Sequence, residues 1–121
     1  MAELLYVILG GAVGSGIRYG IGILLPVGTG IPWATLTVNL IGSFLLGVLT
    51  AANLDTVPMR RPLLLFLGPG LCGGFTTYSA FAVETTAMLE RHDHTIVFAY
   101  LFLTVGGGML MAFLGFTVVR S

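Results

Sequence analysis

Charge is what this sequence has least of. Its 121 residues carry five basic and five acidic side chains, every basic one is arginine, and charged residues make up only 8% of the chain. A soluble domain carries about a quarter of its residues as charges, so a solvated globular surface is excluded. The scarcity of basic residues also leaves no patch for nucleic acid. Cysteine is reduced to Cys72, so no disulfide can close within the chain, and among apolar neighbours a lone thiol reads as a small packing residue. There is no glycine-rich loop followed by Lys-Ser/Thr, no His–Glu zinc spacing and no nucleophile beside a plausible base, so an enzyme is not expected. The run "RHDHT" is too short and isolated for a metal site.

What the chain does contain is hydrophobic length. Apolar residues make up 56% and mean hydropathy is +1.02. A spanning helix needs about 20 mostly apolar residues; four runs meet that need, roughly Leu4–Leu25, Trp33–Asn53, Leu63–Leu89 and Thr95–Val119. The expectation is an all-α membrane protein, one integral domain over residues 1–121. The first run has no basic residue before it, exceeds a signal-peptide core and lacks a small-residue cleavage site, so it is expected to remain as a helix. Four crossings put both termini on one side, where Arg60, Arg61 and Arg120 stand against Arg91 on the other. So small a bias specifies orientation weakly, leaving open insertion both ways or pairing with an oppositely oriented partner. Gly10-x-x-x-Gly14, Gly16-x-x-x-Gly20 and Gly70-x-x-x-Gly74 are spacings that let membrane helices approach closely. Four helices leave little room to enclose a pathway, and an oligomer is expected.

A few polar residues fall at membrane depth. Arg18 lies late in the first run, either snorkelling to the interface or drawing anions to a vestibule. Asn39 shares a helical face with Thr35, Gly42, Ser43, Gly47 and Thr50; its amide either bonds a neighbouring helix or faces a passing anion. The fourth run has a comparable stripe of Tyr100, Thr104, Gly107, Gly108, Met111 and Gly115. Glu84 is either a satisfied structural acid or vestibule residue, or the carboxylate of a proton-coupled transporter.

The densest signal is "GLCGGFTTYSAF", Gly70–Phe81. In lipid a helix is broken only where the freed carbonyls and amides meet a partner, a cavity or an ion. Pro69, Gly70, Gly73 and Gly74, followed by Thr76 and Thr77, predict a break near 72–76. Carbonyls ending the first half suit a hard cation, and amides opening the second suit an anion. Tyr78 and Phe81 share one face of that second half, where ring edges carry partial positive charge.

With "GGAVGSGIRY" at Gly10–Tyr19 and "TLTVNLIGSFLLG" at Thr35–Gly47, this motif makes the chain resemble the Fluc (CrcB) family of fluoride channels along nearly its whole length. The resemblance implies passive export of fluoride by a multi-pass protein of a prokaryotic plasma membrane. It implies an antiparallel, dual-topology dimer of four-helix subunits with two pores and a central structural sodium ion. By position, the Gly73 and Thr76 carbonyls would hold sodium, and Asn39 would be the pore amide. Tyr78 and Phe81 would form the aromatic box, Thr77, Ser79, Tyr100 and Thr104 would add polar contacts to fluoride, and Arg18 would stand in the vestibule. Two departures stand out: Tyr78 replaces a usual phenylalanine, and Gly108 falls where a serine is expected, which leaves a homodimer or a heterodimer with a homologous chain open. The competing readings are a small proton-coupled multidrug exporter using Glu84 and a packing subunit of a larger complex.

Overall fold

The structure, a computed structural model, describes residues 1–26, 28, 30–52 and 60–121. The expected end of the second run at Asn53 and the loop residue Asp55 lie outside the described residues. Within them every regular element is helical. Helix α1 spans Ala2–Leu24, α2 Trp33–Ala51 and α3 Arg61–Leu65; a π-helical segment, Phe66–Cys72, leads into the single turn α4, Gly73–Phe75; α5 is Tyr78–Glu90 and α6 His94–Arg120. Four helical stretches are long and apolar enough to cross a bilayer: Ala2–Leu24, Trp33–Ala51, Arg61–Glu90 and His94–Arg120. The protein is a multi-pass membrane protein.

Local chemistry sets the helix ends. Pro32 precedes α2 and Pro62 opens α3, positions where a missing N–H costs nothing and a fixed φ favours the first turn. Helix α5 closes on His92, whose φ is 60°. There the N–H of Asp93 bonds the Met88 carbonyl at 3.0 Å and that of His92 bonds Leu89 at 3.0 Å, which satisfies the last carbonyls of the helix.

Glycine decides which helices touch. A Cβ on Gly10 would run into the Phe66 carbonyl, and one on Gly14 into that of Leu71; in return, one on Gly70 would lie 3.0 Å from the Gly10 Cα. Residue numbers rise together along this seam, so α1 and the first half of the third span run parallel, backbone against backbone. Helices α2 and α6 form a second parallel pair, where a Cβ on Gly107 would lie 3.0 Å from the Leu40 side chain and one on Gly115 would meet the Phe44 carbonyl. The Arg61 Nε donates to Glu3 Oε1 at 2.6 Å, tying the start of α3 to the start of α1 at one end of the bundle. At the other end Leu36, Met88, Val97 and Tyr100 close a small core between α2, α5 and α6.

The sequence places the break of the third span near 72–76, but the chain stays helical to Phe75. The extended residues are Thr76 (φ −83°, ψ 157°) and Thr77 (φ −151°, ψ 123°). The glycines serve another purpose: Gly74 abuts Gly11, so a Cβ there would strike the Gly11 carbonyl. Close approach to α1, not a change of backbone direction, is what requires a residue without a side chain at this position.

Candidate functional site

A groove of about 650 Å³ opens beside the extended residues. Helix α2 contributes Asn39 and Ser43, α6 contributes Thr104, α5 contributes Tyr78 and Phe81, and Gly73, Thr76 and Thr77 come from the helix end and the link after it. Residues named from three separate stretches of sequence thus meet in one place. No charged side chain is among the described residues that line it.

Asn39 holds the link in place. Its Nδ2 donates to the Thr77 carbonyl at 3.0 Å, and its Oδ1 accepts the Thr77 N–H at 2.8 Å. One side chain thus satisfies both backbone groups of an extended residue that neither flanking helix can serve, which is the condition for irregular backbone inside a bilayer. The Thr77 hydroxyl in turn accepts the Ala80 N–H at 3.2 Å and caps α5. From α1, the Arg18 Nε donates to the Gly74 carbonyl at 3.1 Å.

These bonds free two carbonyls. In an unbroken helix the Thr77 and Ala80 amides would serve Gly73 and Thr76, but here they are bonded to Asn39 and to the Thr77 hydroxyl. Uncharged carbonyl oxygens released at a helix end fit a hard monovalent cation. Among the described residues no group of three or more His, Cys, Asp or Glu side chains is placed to bind a metal, so backbone oxygen is the donor chemistry on offer.

The aromatic rings form a chain. Tyr78 and Phe81 lie with centroids 6.1 Å apart and planes tilted by 55°, and Phe81 meets Tyr100 edge-on at 5.1 Å. Tyr78 is 80% exposed, whereas Tyr100 is fully buried. Tyr100 does not line the groove; it stands behind Phe81, and its hydroxyl donates to Glu84 Oε1 at 3.4 Å. Thr35 donates to the same oxygen at 2.7 Å, so Glu84 joins α2, α5 and α6 from outside the groove. Ser79 is exposed on α5, its hydroxyl 3.3 Å from that of Thr77. Arg18 belongs to a second cavity of about 300 Å³, shared with Thr35 and with Thr77, which faces both spaces.

The Thr104 hydroxyl oxygen is buried and has no hydrogen-bond partner among the described residues. A buried hydroxyl without a partner is costly, and this one belongs to a groove-lining residue. Two contributions escaped the sequence reading. Ser43 lines the groove, and its only advance signal was its place on the Asn39 face. Pro69 lines it from within the π-helical segment; π-helical turns are common at functional sites.

The family model described as CrcB-like protein, Camphor Resistance (CrcB), matches residues 5–116. A relative from an Anaeromyxobacter species is 45% identical, with 99% of this chain and 97% of the relative aligned. One from Thermus thermophilus is 42% identical over 96% of this chain and 94% of its own length. A third, from a Chelativorans species, is 39% identical over 100% of this chain and 98% of its own. All three are named fluoride-specific ion channel FluC. Matched from its first helix to its last by both the family model and full-length relatives, the chain belongs to the CrcB family.

Proposed function

We propose that this protein is a fluoride-selective channel that passes the ion down its gradient, with the groove as its path. The observation that carries the reading is a groove lined by Asn39, Thr77, Thr104, Tyr78 and Phe81, with no charged side chain among the described residues that line it and with the Thr104 hydroxyl buried and without a partner among them. Fluoride is small and strongly hydrated, so a pore must return most of its solvation through close donors yet hold it weakly enough to let it leave. Neutral hydroxyls, an amide and aromatic edges do both; a row of guanidiniums would trap the ion. The names of the full-length relatives support the same substrate.

The groove is one-sided, which supports a dimer. Tyr78 and Gly73 are exposed beside released backbone carbonyls, and lipid gives such groups nothing to bond. A second copy in antiparallel orientation, or a homologous chain, would supply the missing wall and make two pores. Sodium fits between the copies: the Gly73 and Thr76 carbonyls would hold it, and its charge would offset the negative ends of the helices. The exporter reading needs Glu84 on the path, and its carboxylate is instead engaged by Thr35 and Tyr100.

The test is fluoride release from liposomes holding this chain alone, followed with a fluoride electrode, with chloride release measured in parallel. Rapid fluoride release with negligible chloride release supports a selective homomeric channel. No release from folded protein removes that reading, and co-expression with a homologous chain then tests the heterodimer.

A further inference from the structure

Helices α2 and α6 run parallel, and their polar side chains form matched levels. Thr35 and Tyr100 meet at Glu84; one turn on, Asn39 and Thr104 both line the groove; one turn further, Ser43 stands beside Gly108. At this third level α6 has no side chain at all. A Cβ on Gly108 would sit 3.6 Å from the Ser43 Oγ, ordinary van der Waals contact, so the serine hydroxyl occupies the space next to the missing side chain.

We propose that Ser43 is a rung of the ion path, supplying from α2 the hydroxyl that α6 lacks at Gly108. The inference rests on the groove being the conducting path. Ser43 lines that groove, and its hydroxyl donates to the Asn39 carbonyl at 2.7 Å. That carbonyl lies in a helix and accepts a backbone N–H as well, so the serine bond is a second bond to it and can be given up without orphaning the acceptor. Rotation about one bond, Cα–Cβ, exchanges the carbonyl for an ion in the groove. The proton has somewhere to rest when the groove holds no ion and a ready donor geometry when it does. Thr104, one turn back on α6, has a hydroxyl with no partner to release.

The experiment is fluoride efflux from liposomes with the unsubstituted chain, Ser43→Ala, and Ser43→Ala combined with Gly108→Ser, each checked for oligomeric state and thermal stability. Losing one hydroxyl lowers fluoride flux by about tenfold, the scale of one hydrogen bond. Returning it from position 108 brings flux back to within about threefold of the unsubstituted chain, on the same conversion. Unchanged flux in Ser43→Ala overturns the proposal. So does a loss that Gly108→Ser fails to restore in a protein of unaltered assembly and stability, because the role of Ser43 is then to brace α2. Fluoride flux absent from the unsubstituted chain takes down the homomeric channel reading, and this inference with it.

Discussion

The two halves of the third span are built on opposite principles. From Arg61 to Phe75 the chain is pressed against α1 through Gly10, Gly14, Gly70 and Gly74, with backbone meeting backbone and no room for a side chain. From Tyr78 to Glu90 side chains make the contacts: Thr77 caps the start, Phe81 meets Tyr100, and Glu84 gathers two hydroxyls. The first half is a scaffold whose tolerance is set by sterics. The second is a working surface whose tolerance is set by hydrogen bonding and ring position. Between them lie two extended threonines, the second of them held by one asparagine. The lesson is that the glycine-rich stretch secures the site's position, while most of its polar groups come from Thr76 and Thr77 after it and from α2 and α6.

The largest effect should come from the scaffold. Gly14→Val drives two methyl groups into the backbone of Leu71 and Phe75, where no flexible side chain can yield. The expected result is loss of the monodisperse assembly in detergent, read by size-exclusion chromatography, a cost of about 3 kcal/mol or more. A folded, active Gly14→Val would erase the contrast between the halves.

Next comes the hinge between them. Asn39→Ala strips both backbone partners from Thr77 and leaves them unsatisfied in the membrane. Stability should fall by about 2–4 kcal/mol on that account, at about 1–3 kcal/mol per orphaned group with partial relaxation. Fluoride efflux should fall by about a hundredfold or more, the kinetic equivalent of about 2.7 kcal/mol. Efflux at the original rate would mean that the extended link needs no brace.

Helix boundaries and the working surface were legible to different degrees, and the reason is physical. Length and apolar composition answer to the bilayer alone, so four spanning helices are legible in the sequence. The Asn39 face was visible because a helix repeats every 3.6 residues and polar groups are rare in such a run. The partner of Asn39 was not visible, because it is a backbone group 38 positions away. For the same reason the sequence bounds the break only to a stretch near 72–76 that runs from the glycines to Thr76: it shows which residues permit a break, whereas Asn39 and the Thr77 cap hold the extended backbone at Thr77. Tyr100 was read as part of a polar stripe, yet its ring is fully buried and its hydroxyl is turned to Glu84. Periodicity assigns a residue to a face, and only packing decides whether that face meets a groove or a core.

Smaller effects sharpen the comparison at its edges. His92→Gly relieves a left-handed backbone position at the end of α5 and should raise stability by about 0.5–1 kcal/mol with flux unchanged. Thermal unfolding of the purified protein checks the first part and liposome efflux the second. Tyr78→Phe keeps the ring edge and removes only the hydroxyl, so fluoride flux should change by no more than about threefold, well under one hydrogen bond. A larger loss with the assembly intact would make the hydroxyl, and not the ring edge, the feature that matters at that position.

The central claim is passive, fluoride-selective conduction, and the reversal potential of the current in a planar bilayer tests it most directly. The account predicts a potential that follows the fluoride gradient by about 59 mV per tenfold, as for a single monovalent carrier, and that stays fixed when a chloride or proton gradient is imposed instead. A reversal potential that moves with the proton gradient would contradict it and return Glu84 to the centre of the mechanism.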